Sequence, residues 1–206
     1  VSDRYQTVLL FGAPGAGKGT QGEILAKIPG FFHMSTGQMF RNLDTTSELG
    51  KIVTQYSSRG ELVPDDITVR LWSQTVHGYT KTEVYKPNQD LLILDGLPRS
   101  VIQARLLHRY INVLRIIHLV CVDKEEMIMR LRRRAIKENR ADDAREEVIR
   151  RRWEVYERDT FPVLAQYSKE IITEVPASGS PARVLSKVLE SLVPVQDEHF
   201  HNPLAG

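Results

Sequence analysis

Residues 12–20 read Gly-Ala-Pro-Gly-Ala-Gly-Lys-Gly-Thr, a loop of the form Gly-x4-Gly-Lys set between a short apolar run and a helical pattern. Glycines at 12, 15, 17 and 19 admit backbone conformations closed to residues with a Cβ, so consecutive amides can turn toward phosphate oxygens. Lys18 adds a mobile positive charge, and the helix starting near it adds the positive end of its dipole. A plain strand-to-helix turn needs neither the lysine nor four glycines. The combination points to a nucleoside triphosphate held by Gly15, Ala16, Gly17, Lys18, Gly19 and Thr20. The hydroxyl arrives one place late, because Gly19 follows the lysine and Thr20 comes after it, which leaves a direct magnesium contact open.

Such a loop must be carried on a sheet. Residues 7–11 (Thr-Val-Leu-Leu-Phe) read as a first strand. Residues 91–94 and 116–122 are apolar at consecutive positions, as strands buried on both faces of a parallel sheet are, and 171–175 form a weaker fourth candidate. Helical segments lie between these runs, so the order of elements predicts an α/β fold with a central parallel sheet. Asp123 followed by Glu126 forms a capping-box start for one helix, and Pro162 breaks another that begins near Ala144. Residues 36–82 hold several short helical pieces without a strand and read as a helical insert. Residues 134–140 sit between two strongly charged helices and read as a short lid.

The chain of 206 residues fits one domain, with ordinary hydrophobic (41%) and charged (26%) content that excludes a disordered or fibrous class. Twenty-eight basic residues against 26 acidic ones leave a net charge of +2, too balanced for a global attraction to nucleic acid or membrane. The basic cluster within 130–152 is interleaved with Glu138, Asp142, Asp143, Glu146 and Glu147, which predicts exposed pairs rather than a nucleic-acid patch. Cys121 is the sole cysteine and lies in an apolar run, so it reads as core packing in a reducing compartment. No stretch approaches the roughly 20 apolar residues that span a bilayer, and the first residues lack a signal pattern; a cytoplasmic protein is expected.

The loop at 12–21 resembles that of the adenylate kinases and their nucleoside monophosphate kinase relatives, and four further motifs follow in the family's order. Ser35-Thr36-Gly37 with Arg41 is similar to the segment opening the monophosphate-binding insert, and residues 60–65 (Gly-Glu-Leu-Val-Pro-Asp) to the adenine-contacting loop. Leu94-Asp95-Gly96-Leu97-Pro98-Arg99 with Gln103 resembles the segment running from a buried strand to the monophosphate, and residues 140–143 the end of the lid. The resemblance implies a P-loop NTPase-type three-layer sandwich: a core of 1–34, 83–133 and 141–206, a monophosphate-binding insert at about 35–82 and a lid at about 134–140. It implies reversible transfer of the terminal phosphoryl group of MgATP to AMP, giving two ADP. Phosphoryl transfer needs charge neutralisation and alignment more than covalent chemistry, and arginine forks supply both.

On that resemblance Lys18 follows the transferring group, and Arg41 and Arg99 clamp the AMP phosphate. Arg134 (on ATP) and Arg140 reach in from the lid, and Asp95, with Thr20 nearby, holds water on a Mg²⁺ that has no direct protein ligand. A third phosphate arginine is Arg152 if the match is made through residues 146–149 with Tyr156, Thr160 and Pro162, and Arg151 if counted from Asp143; the first match is adopted. The AMP site then comprises Thr36, Arg41, Glu61, Leu62, Val63, Gly96, Leu97, Pro98, Arg99, Gln103, Arg140 and Arg152. Thr36 and Gln103 favour AMP over the pyrimidine acceptors of related kinases, because a hydroxyl and an amide can read a purine edge. Five residues between Arg134 and Arg140 leave no room for a longer metal-binding lid, so no zinc is expected. A nucleotide-gated RNA-binding protein is the rival of another class. The expected partners are ATP, AMP and ADP alone, bound by a monomer. Gln38 departs from the family's usual aspartate, 79–90 is longer than usual, and 196–206 has no counterpart.

Overall fold

A computed structural model describes residues 4–121, 123–137 and 145–199. Five strands make one parallel sheet: β1 Tyr5–Gly12, β2 Phe31–Ser35, β3 Leu91–Asp95, β4 Ile111–Val120 and β5 Ile172–Pro176, in the order β2-β3-β1-β4-β5. β1 lies at the centre and is buried on both faces. Val8 and Leu10 join one apolar layer while Leu9 and Phe11 join the other, as the alternation of a strand requires.

Helices cover both layers. Leu25 of α1 (Lys18–Leu25) belongs to the first layer. Met39 of α2 (Thr36–Arg41) belongs to the second, which α4 (Asp65–Lys81) reinforces with Trp72 and α5 (Val101–Leu107) with Leu107; α3 (Glu48–Ser57) lies between α2 and α4 in the chain. The first layer is completed by Met127 of α6 (Lys124–Lys137), Trp153 of α7 (Glu146–Val155) and Val188 of α8 (Pro181–His199). The result is the α/β fold with a central parallel sheet that the order of elements predicted, in the three-layer form that the resemblance implied.

Two strand expectations are corrected. β2 was not anticipated: its five residues include His33 and pair with β3 alone, so the run is too short and too mixed to read as a strand. β4 begins at Ile111, not 116, because Asn112 and Arg115 interrupt the continuous apolar run that was sought and residues 112–115 are only half-buried; Val122 lies outside the described residues. The cap at Asp123 is as expected, its Oδ1 accepting from the Glu126 amide at 3.0 Å. α6 runs on through Arg134 to Lys137, so the described part of the 134–140 segment continues that helix. α7 starts at Glu146, with Ala144 outside the described residues.

Candidate active site

Strand register sets the site. Leu10 of β1 pairs with Asp95 of β3, and Ser35 of β2 pairs with the same Asp95, so the loops after these strands leave from one carboxyl edge. They open into a cleft of about 1080 Å³, large for a single small-molecule pocket. Gly15, Gly17, Lys18, Gly19 and Thr20 line it; Ala16 does not, being 3% exposed and packed in the core beneath. Gly17 sits at φ 90 as the residue before α1, a left-handed conformation that lets the loop turn directly into the helix.

Lys18 is folded back over this loop, its Nζ donating to the carbonyls of Gly12 at 2.8 Å and Ala13 at 3.0 Å. Desolvation of the ammonium lowers its pKa to about 8; Asp95 opposes that shift, while Arg99 and Arg134 add to it. Asp95 is 7% exposed, and a Cβ on Gly19 would lie 3.7 Å from its Oδ2, so the carboxylate faces the loop. Burial alone would raise its pKa, but His33, Lys18 and Arg99 together outweigh burial and hold it below the usual carboxylate range. His33 was missed by sequence reasoning because the strand carrying it was missed. Its Nε2 stands 3.8 Å from Asp95 Oδ2, beyond hydrogen-bond reach, so the contact is electrostatic.

The same cleft carries a second group. Thr36, Arg41, Glu61, Leu62 and Val63 line it from the segment between β2 and α4. Gly96, Leu97, Pro98, Arg99 and Gln103 line it from the β3–α5 connection, and Arg152 from α7. Arg99 is held at three points: its amide donates to Gln103 Oε1 at 2.7 Å, its Nε to Gly96 O at 2.8 Å, and its carbonyl accepts from Thr160 Oγ1 at 2.9 Å. Because a backbone amide can only donate, Oε1 must face it. The Gln103 side chain therefore presents its NH₂ as the remaining group. The Thr36 hydroxyl donates to the Asp95 carbonyl at 3.1 Å, leaving that oxygen as an acceptor. Arg41 Nη2 donates to Gln38 Oε1 at 2.9 Å, so the glutamine helps to orient this arginine.

Arg134 also lines the cleft. Arg151, the competing count, turns instead to Glu154 at 3.0 Å and toward Glu61 at 3.9 Å. Arg140, Asp142 and Asp143 lie outside the described residues. Several other basic residues of the region pair with acids: Arg130 with Glu126, Arg150 with Glu125 and Glu146, Arg145 with Glu147. Among the described residues no cluster of His, Cys, Asp and Glu offers three metal ligands, and no helix is long and apolar enough to cross a membrane.

A glycine-rich loop joining a central parallel strand to a helix, with an arginine-lined wall facing it, defines a phosphate-loop nucleotide-binding α/β protein. The family model described as adenylate kinase matches residues 10–172. The chain is 35% identical to an adenylate kinase of Thermus thermophilus over 196 residues, covering 92% of this chain and 98% of that one. It is 37% identical to an adenylate kinase of Thermobifida fusca (90% and 97% covered) and 36% identical to one of a Cyanothece species (97% and 96%). The chain belongs to the adenylate kinase family.

Proposed function

We propose that the protein transfers the terminal phosphoryl group of ATP to AMP, giving two ADP, and runs the reaction in both directions. The observation that carries this reading is the pairing, in one cleft, of a phosphate loop with a facing wall of Arg41, Arg99 and Arg152. One anionic subsite would serve a binder or a hydrolase. Two subsites sharing a cleft serve a transfer between two nucleotides.

In the mechanism that follows, the phosphate loop and Arg134 hold the ATP phosphates. Arg41, Arg99 and Arg152 hold the AMP phosphate, with Arg140 joining them on the strength of its sequence position. Glu61, Leu62 and Val63, with Gly96, Leu97 and Pro98, wall the AMP pocket, and Thr36 and the Gln103 NH₂ face its purine. An AMP phosphate oxygen forms the new bond to the terminal phosphorus as the bond to the bridging oxygen of ATP breaks, and no protein nucleophile takes part. Lys18 leaves the loop carbonyls to follow the transferring group, offsetting its charge. The chain's work is alignment and electrostatic stabilisation, assisted by closure of the insert (35–82) and the lid (134–140) to exclude water.

Mg²⁺ fits this site: Asp95 is a buried, ionised, acceptor-only group facing the loop, Thr20 adds a hydroxyl on the cleft, and hard oxygen donors suit that ion. Bound with ATP, it would neutralise phosphate charge, with Asp95 and Thr20 holding its water. Both subsites come from one chain, which supports a monomer. Free nucleotide substrates support a place in the cytoplasm and a role in balancing the adenine nucleotides.

The test is a coupled assay of ATP formation from ADP. Lys18→Ala should reduce turnover at least about 100-fold, since one preorganised donor to a developing charge is worth about that factor; turnover at the parent rate would sink the mechanism.

A further inference from the structure

α7 does not end where its regular hydrogen bonding does. It passes without a break into a π-helical segment, Tyr156–Thr160, and then into a 3-10 turn, Phe161–Gln166. π segments of this kind are uncommon and recur at functional sites, because the widened turn re-aims a side chain. Here the last residue of the widened turn is Thr160, 8% exposed and on the wall of the cleft. Its hydroxyl donates at 2.9 Å to the carbonyl of Arg99.

That bond closes a frame. Gln103 holds the Arg99 amide and Thr160 holds its carbonyl. The next residue, Ser100, donates from its hydroxyl to Asp65 Oδ1 at 2.8 Å, tying the same turn to the start of α4. We propose that Thr160 is a positioning residue for phosphoryl transfer: through the Arg99 carbonyl it fixes the arginine at the acceptor phosphate and joins it to the helix that carries Arg152. One continuous helical run then bears one phosphate arginine directly and steadies a second through a hydroxyl. A shift of α7 is felt at both arginines together, and the acceptor clamp assembles as a unit. The inference rests on the placement of Arg99 at the AMP phosphate.

Thr160→Val keeps the shape and removes the donor, leaving a partly buried carbonyl unpaired. Steady-state kinetics should show kcat/KM for AMP falling about 10-fold with KM for ATP changed less than about twofold, the size expected when one oriented group loses its support. Thr160→Ser, which restores the hydroxyl, should recover to within about threefold of the parent. A packing role alone would move both substrates and would not be rescued by serine. The deciding comparison is a double-mutant cycle with Arg99→Ala: in that background Thr160→Val should add little further loss. The same 10-fold loss in both backgrounds, or a valine variant as active as the parent, overturns the inference. If Thr160→Val melts below the assay temperature, Thr160→Ala carries the same cycle. Should Arg99→Ala itself leave the AMP kinetics unchanged, the acceptor-site reading falls; a loss there with additive Thr160 effects removes only the role of Thr160.

Discussion

At Lys18 two demands oppose each other: the phosphate loop needs a cation close to its amides, and the folded chain must strip water from that cation to keep it there. Its pKa is lowered from 10.5 to about 8, mainly by that desolvation. Between these values the unfolded chain binds more protons than the folded one, so stability rises with pH across the window, and below about 8 the full penalty is present. Lys18→Met should therefore melt at a higher temperature than the parent at pH 7 in the absence of nucleotide. The gap should narrow as pH rises through 8 toward 10, read by thermal unfolding at a series of pH values. A gap that stays constant would mean that packing, not charge, sets the difference.

How far single residues were legible depended on how local their reasons are. The loop glycines, Lys18 and the Asp95-Gly96-Leu97-Pro98-Arg99 run announce themselves, because their backbone demands are written within a few neighbours. His33 does not, and Thr160 enters only as a marker for the match that selects Arg152, without a role of its own. One matters because it lies beside Asp95, the other because it meets the Arg99 carbonyl 61 positions away, and neither pairing leaves a mark in local sequence. The choice of Arg152 over Arg151 rested on the residues around it; in the fold Arg152 lines the cleft while Arg151 pairs with Glu154.

Between elements, the informative contact is that of α7 with the loop after α3. Gly60 adopts φ 74, and a Cβ there would lie 2.8 Å from the carbonyl of Val148. Arg145 Nη2 reaches across the same seam to Ser58 O at 3.1 Å, a second tie between the start of α7 and the loop after α3. Gly60→Ala should cost about 1–3 kcal/mol in chemical denaturation, from the left-handed backbone and the displaced helix. If Glu61 to Val63, which follow directly and line the cleft, wall the AMP pocket as proposed, it should also raise KM for AMP more than KM for ATP. Equal effects on both substrates would contradict that geometry. Fold class was legible at this scale since consecutive apolar strands and intervening helices admit little else. The short edge strand β2 and the first half of β4 were not, because both are only partly buried and mix polar with apolar residues.

For the molecule as a whole, the sheet presents its carboxyl edge to one cleft, whose lining also comes from the segment between β2 and α4 and from α6 and α7. A phosphate loop alone would suit a motor, a switch or a kinase; the facing arginines, held by glutamine, threonine and backbone contacts, make it half of a transferase. On the proposed reading, specificity rests on Thr36 and Gln103, which both line the cleft. The measurement that tests this most directly is initial rate against acceptor, with AMP, GMP, CMP and UMP compared at fixed MgATP. AMP should be preferred over either pyrimidine by at least about 100-fold in kcat/KM, since buried polar groups left unpaired by the wrong base discriminate strongly. A pyrimidine used as well as AMP, or no acceptor-dependent turnover at all, would contradict the account.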